Sequence, residues 1–196
     1  MTFLFDLDST ITKCELLPLL AEENGLREEM AARTERSMAG NGDFAADFAA
    51  RVELLRPVPL HRAREIIENA PVHGEIAAFL REHRDRCWIV TGNLDAWISG
   101  LVRRLGMEGR CLCSAAETAG DRLLGIRSIL DKAAAARQFA HPFAAIGDGS
   151  NDAGMLRAAD VGIAFGGARR ISDELRSAAD MVFEDEIALC AFLRTL

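Results

Sequence analysis

The sequence is poor in the features that mark membrane, nucleic-acid or disulfide-stabilised proteins. No apolar stretch approaches the ~20 residues that a membrane-crossing helix requires. No run of lysine and arginine forms a basic patch, and a formal net charge of -7 argues against nucleic acid or an anionic lipid surface as partner. The first residues lack the basic segment and the long apolar segment of a secretory signal. Cys14, Cys87, Cys111, Cys113 and Cys190 are scattered without a disulfide rhythm, so a reducing, cytoplasmic setting is expected. Cys111 and Cys113 form a lone C-x-C with no second Cys or His pair at zinc-ligand spacing, and read as strand cysteines. Internal repeats and low-complexity segments are also missing.

What remains is ordinary globular material. The chain has 196 residues, 49% hydrophobic and 27% charged, enough for one large domain or a domain with an insertion. Phe3–Leu7 is apolar on both faces, as a parallel strand covered by helices must be. Similar runs end at Thr91 (RCWIVT) and Asp148 (FAAIGD), centre on Gly162 and Ile163 (VGIAF) and lie near Val182 (MVF), with a shorter one, CLCSA, after Arg110. Between them the 3.6-residue period predicts helices over Glu75–His83, Asp95–Leu105, Asp131–Phe139, Asp152–Ala159, Ser172–Ala178 and Glu186–Leu193. Strand and helix alternate, which predicts an α/β fold: a Rossmann-like, three-layer parallel sheet.

One stretch breaks the alternation. From Lys13 to Pro71 only helices are predicted, near Cys14–Glu23, Leu26–Met38, Asp43–Leu55 and Leu60–Glu68. They are separated by Asn24-Gly25, Gly40-Asn41-Gly42 and Pro57–Pro59. The expectation is a helical cap, residues 13–71, inserted after the first strand of a core formed by residues 1–12 and 72–196, and serving as its lid.

Ligands of such sheets bind beyond the carboxyl ends of the strands. Strand one delivers Asp6 and Asp8 there, the RCWIVT strand Thr91, Gly92 and Asn93, and the FAAIGD strand Asp148, Gly149, Ser150, Asn151 and Asp152. Four aspartates converging on one point call for a cation, and oxygen-only ligands suit Mg²⁺ with waters and a substrate phosphate. Taken alone, GDGSND also describes a turn leading into a helix N-cap. Gly92 permits close approach of backbone N–H groups to an anion, and the following helix directs its N-terminus to the same place. Lys132 is oddly placed at a helix start unless it faces an anion.

FDLDST, VTGN, the Lys132 helix and IGDGSND resemble, in order, the four motifs of the haloacid-dehalogenase superfamily of phosphohydrolases. The D-x-D-S-T form and the insertion after it are similar to its phosphoserine phosphatase branch. The resemblance implies Asp6 as nucleophile forming an aspartyl-phosphate, and Asp8 as general acid and base. It implies Thr91, Gly92, Lys132 and Asn151 as phosphate ligands. Mg²⁺ would be held by Asp6, the backbone carbonyl of Asp8 and Asp148, with Asp152 as a further ligand or an orienting group.

The same resemblance assigns Glu15 to a substrate ammonium and Arg51 to a substrate carboxylate, and places Met38, Gly40 and Phe44 in the cap pattern. Glu15 and Arg51 also fit solvated helix positions, and Met38 and Phe44 fit a cap core. The family's second motif usually runs Ser-Gly-Gly, whereas this chain has Thr91-Gly92-Asn93. A side chain at Asn93 would occupy space beside the substrate. The segment from Cys113 to Lys132 is compressed, as though a helix were missing. The expected partner is a small phosphomonoester, phosphoserine first, with phosphotransfer to an alcohol, a phospho-receiver module and an inactive binding protein as alternatives. Neither nucleic acid nor membrane is expected as a partner, and the assembly expected is a monomer or homodimer.

Overall fold

The structure, a computed structural model, describes residues 1–38 and 43–196. Gly40 and the side chain of Met38 lie outside the described residues. Seven strands form one sheet: β1 (Thr2–Phe5), β2 (Cys87–Leu94), β3 (Cys111–Ala119), β4 (Arg122–Ser128), β5 (Phe143–Gly147), β6 (Val161–Phe165) and β7 (Met181–Phe183), in the order β4-β3-β2-β1-β5-β6-β7. All neighbours are parallel except β3 and β4.

The period of two in β1 divides the core. Phe3 and Phe5 face one side, where the Phe3 ring meets Phe79 edge-on with centroids 5.2 Å apart. Leu4 faces the other side, with Val90, Phe143 and Ala145. Helices α5 (Gly74–Glu82), α6 (Asp95–Arg104) and α10 (Glu186–Leu193) cover the first face. Helices α7 (Lys132–Ala136), α8 (Ala153–Ala158) and α9 (Asp173–Ala178) cover the second. A strand buried on both faces needs apolar residues at every position, which is why β1 and β5 stood out in the sequence.

The helical stretch comprises α1 (Leu16–Ala21), α2 (Arg27–Met38), α3 (Phe44–Leu55) and α4 (Leu60–Glu68). It leaves and rejoins the sheet at one place. Thr12 and Val72 form an antiparallel bridge, Lys13 N–H donates to the Pro71 carbonyl at 2.8 Å, and His73 N–H donates to that of Ile11 at 2.9 Å.

The segment after Cys113 corrects an expectation. No helix is missing: β3 and β4 form an antiparallel hairpin turning at Gly120, whose φ of 57° suits glycine. An edge hairpin is half solvated, so it carries polar residues and lacks the continuous apolar run of the central strands. Its tip supports α4: Asp121 accepts from His61 N–H at 2.7 Å, and its carbonyl accepts from Leu60 N–H at 2.9 Å.

Candidate active site

Register brings the strand-end residues together. Phe5 pairs with Ile89 on one side and Ile146 on the other, so Asp6, Thr91 and Asp148 emerge at the same edge. Asp6 and Asp148 are each 3% exposed, and Asp152 is fully buried. One carboxylate oxygen from each of these three lies within 4.8 Å of the others. Lys132 sits among them, its Nζ 2.5 Å from Asp6 Oδ1 and 2.7 Å from Asp152 Oδ1. Its place at the start of α7 is thereby explained: two carboxylates outweigh the unfavourable helix dipole. An ammonium has three donors, so one N–H of Lys132 remains for a further anion.

Asp152 is fully committed. Its second oxygen accepts from the backbone N–H groups of Asp148 and Gly149, both at 3.1 Å. Gly147 makes room for it, since a Cβ there would lie 2.4 Å from Asp152 Cγ. Thr10 donates to Asp148 Oδ1 at 3.1 Å, while Asp148 Oδ2 is buried without a hydrogen-bond partner. The chain reaches Thr10 through Ser9, held in the left-handed region at φ 58°. Burial, with Asp152 and Asp8 adding repulsion, lifts the Asp6 pKa well above the usual range against the pull of Lys132. Burial, with Glu15, Asp6 and Asp152, does the same to Asp148. Burial alone would lower the Lys132 pKa, but Asp152 and Asp6 more than offset it and keep the amine charged.

This donor set fits a hard divalent ion. It is all oxygen, and Asp148 Oδ2, buried without a hydrogen bond and with only Arg169 Nε at 3.7 Å, is an acceptor that a cation would satisfy. The four aspartates do not converge on one point, however. The Asp8 carboxylate turns away from the other three. Its Oδ1 accepts from Leu16 N–H at 3.0 Å, Asn93 Nδ2 lies 3.3 and 3.2 Å from its two oxygens, and Thr91 Oγ1 donates to Oδ2 at 3.4 Å. Burial raises the Asp8 pKa, and the bonds from Leu16 and Asn93 oppose the rise.

Above these groups stand the helices. Phe44 and Phe48 stack with centroids 5.8 Å apart, and Phe44 lies so close to Gly92 that a Cβ there would be 2.8 Å from its ring. Arg51 is 3% exposed and bonded only to neutral acceptors: Thr34 Oγ1 at 3.1 Å, the Asp47 carbonyl at 3.3 Å and Ser37 Oγ at 3.5 Å. Among the described residues no carboxylate lies within ion-pair distance of it. Glu15 has partners, accepting from Ser9 Oγ at 3.1 Å and Arg169 Nη1 at 3.2 Å, while Arg169 Nε lies 3.7 Å from Asp148 Oδ2. Burial and Asp8 raise the Glu15 pKa, and Arg169 opposes them.

Asp6, Asp8, Glu15, Phe44, Arg51, Thr91, Gly92, Asn93, Lys132, Asp148 and Asn151 therefore line one cavity, whose free volume is only about 30 Å³. That suffices for a water or two. Asn151 Oδ1 is buried there without a partner. Sequence reasoning overlooked Arg169, although the rule that found the aspartates covers it: Arg169 follows β6, at the same edge of the sheet. It also overlooked Ser9 and Thr10, whose hydroxyls serve the acids beside them.

The comparisons with known proteins agree with this geometry. The haloacid dehalogenase-like hydrolase family matches residues 3–157, and a second profile of the same description matches residues 132–187. A phosphoserine phosphatase of Mycobacterium tuberculosis is 34% identical over 176 residues, covering 82% of this chain and 43% of that protein. One from Methanocaldococcus jannaschii is 27% identical, covering 83% of each chain. Several of the curated relatives are about twice as long as the region matched. A solved structure described as a phospho-aspartyl intermediate analogue of phosphoserine phosphatase superposes with a TM-score of 0.85 at 23% identity, over 100% of this chain and 98% of that one. By its sequence match, its sheet and the acids at the sheet's edge, this chain belongs to the haloacid dehalogenase-like hydrolases.

Proposed function

We propose that this chain is a Mg²⁺-dependent phosphomonoester hydrolase that works through an aspartyl-phosphate, with phosphoserine as its substrate. Residues 13–71 are read as the cap and residues 1–12 with 72–196 as the catalytic core. The observation that carries the substrate is Arg51. A buried guanidinium with only neutral acceptors is costly, and a ligand carboxylate bound through two parallel N–H donors would satisfy it. The relatives named as phosphoserine phosphatases support the same reading.

The chain's own groups can divide the work. Asp6 has one oxygen bonded to Lys132 and the other free to attack phosphorus. As its bond to phosphorus forms, the ester P–O bond breaks, and Asp8 gives its proton to the departing alkoxide oxygen. Asp8 then takes a proton from the water that hydrolyses the acyl phosphate, which releases phosphate and restores Asp6. The free N–H of Lys132, Thr91 Oγ1 and the N–H groups near Gly92 would bind the phosphoryl oxygens, with Asn151 beside them. Asp6 and Asp148 would hold Mg²⁺ together with the Asp8 carbonyl, and Asp152 would orient Lys132 and the loop. When bound, the ion offsets the charge of the acids and the phosphoryl group.

A cavity of about 30 Å³ does not admit phosphoserine, so Phe44, Phe48 and Arg51 must withdraw with their helices for substrate to enter. The test is phosphate release with Mg²⁺ over L-phosphoserine, phosphothreonine, sugar phosphates, nucleotides and p-nitrophenyl phosphate. Phosphoserine is expected to lead in kcat/KM by roughly tenfold or more, the scale of one charged hydrogen bond. Turnover of other esters with phosphoserine ignored would remove the substrate and leave the chemistry.

A further inference from the structure

Asn93 stands where a third-position glycine is usual, and its sequence context suggested a group that crowds or touches the substrate. Its contacts point elsewhere. The side chain is 3% exposed, and both ends of its amide are occupied by protein. Oδ1 accepts from Leu94 N–H at 2.8 Å, at the start of α6. Nδ2 faces the two oxygens of Asp8 at 3.3 and 3.2 Å. The amide cannot be turned over without setting its oxygen against a carboxylate and its NH₂ against a backbone N–H, so the partners themselves define its orientation. The backbone of Asn93 closes the ring, its N–H donating to Thr91 Oγ1 at 3.1 Å, and Thr91 Oγ1 donates in turn to Asp8 at 3.4 Å.

We propose that Asn93 is a positioning residue: it fixes the Asp8 carboxylate in the one orientation from which a proton reaches the departing oxygen. This inference rests on the phosphatase reading and goes beyond it, because it assigns the departure from glycine a task in leaving-group protonation rather than in substrate fit. Apart from Asn93, Asp8 is held by Leu16 N–H on Oδ1 at 3.0 Å and by Thr91 Oγ1 on Oδ2 at a long 3.4 Å. A carboxylate with one firm bond and one long one can still swing about its side-chain bonds, and a further donor spanning both oxygens restrains that swing. Placing a reacting group in this way is one of the larger contributions a protein makes to rate.

The experiment separates leaving groups. Breakdown of the phospho-enzyme is common to all substrates and does not enter kcat/KM, which reports the step in which the ester bond breaks. The nitrophenolate of p-nitrophenyl phosphate departs without a proton, whereas the alkoxide of phosphoserine or glycerol phosphate requires one. In the Asn93→Ala protein, kcat/KM for the alkyl esters is expected to fall roughly ten- to a hundredfold, and that for p-nitrophenyl phosphate by less than about threefold. Asn93→Asp keeps the volume and the oxygen bound by Leu94 N–H but sets an acceptor against Asp8. It should show an alkyl-specific loss at least as large, and it reads the same point if the alanine variant folds poorly.

An equal loss on both classes of ester, or no loss on either, would overturn the inference and leave the phosphatase reading standing. Wild-type protein inactive on every ester would overturn both. A crystal structure of the Asn93→Ala protein gives a readout without turnover. Asp8 is expected there in more than one orientation, and one unchanged orientation also overturns the proposal.

Discussion

The floor and the roof of the cavity treat buried charge in opposite ways. On the floor, Asp6, Asp148 and Asp152 surround Lys132, and four of their six carboxylate oxygens accept a hydrogen bond from the protein. Three carboxylates against one ammonium leave an excess of negative charge that a divalent cation would cancel. In the roof, Arg51 rests on two hydroxyls and a carbonyl, with no carboxylate of its own among the described residues. On the proposed reading, a metal and a phosphoryl group would complete the floor, and an organic anion the roof. Reaction and recognition would then draw on separate sets of charges.

The largest effect expected from breaking this division is at the floor. Asp6→Asn should lower turnover by roughly a thousandfold or more while the protein stays folded, since Lys132 keeps Asp152 as a partner. Steady-state kinetics beside a thermal melt would check both halves, and residual turnover near the wild-type rate would remove Asp6 as nucleophile. At the roof, Arg51→Ala should raise KM for phosphoserine roughly ten- to a hundredfold, the worth of a charged hydrogen bond or two. For p-nitrophenyl phosphate, which has no carboxylate, the change should be small. Equal changes for both esters would merge floor and roof into one device.

Metal and pH sharpen the contrast further. Burial raises the pKa values of Asp6 and Asp148 above those of the unfolded chain, so the fold holds protons there more tightly. Without metal, their contribution to stability is complete at acid pH, below the unfolded value of about 4, and is lost as pH rises through the raised values. Magnesium bound by these acids would replace those protons. It should therefore raise Tm more at pH 8 than at pH 5, by about 5–10 °C at a hundred times its Kd. A rise independent of pH would mean that the ion binds elsewhere. The smallest effect expected is on the roof's support: Asp121→Ala removes the side-chain part of the hairpin's hold on the start of α4, keeps the backbone bond to Leu60 N–H, and should cost a few degrees in Tm at most. The effect on p-nitrophenyl phosphate turnover should be slight.

Much of the floor was legible because its signals are local. A central parallel strand has to be apolar on both faces, so the acids ending β1 and β5 stood out against their own neighbours. The helices between Thr12 and Val72 were legible from their breaks: α4 begins directly after Pro59, and α3 after Asp43, which accepts from Ala45 N–H. The start of β3 was legible as CLCSA, but β4 and the hairpin were not, since a solvated edge strand such as RLLGIRS carries neither a clean alternation nor a continuous apolar run. Nor were the pairings of Asn93 with Asp8, 85 positions away, and of Arg169 with Glu15, 154 positions away. Residue type and spacing told which groups reach the edge of the sheet. Only the packing of several elements decides whether a side chain there meets a ligand or another side chain.

The bridge between Thr12 and Val72 has a consequence for inheritance. The chain enters and leaves the helical segment through two adjacent residues that already pair with each other. Whatever lies between can be lengthened, trimmed or replaced without rethreading a strand or changing the order of the sheet. If that segment is the cap proposed above, a lineage could alter which molecule is admitted while the groups that would handle phosphorus descend unchanged.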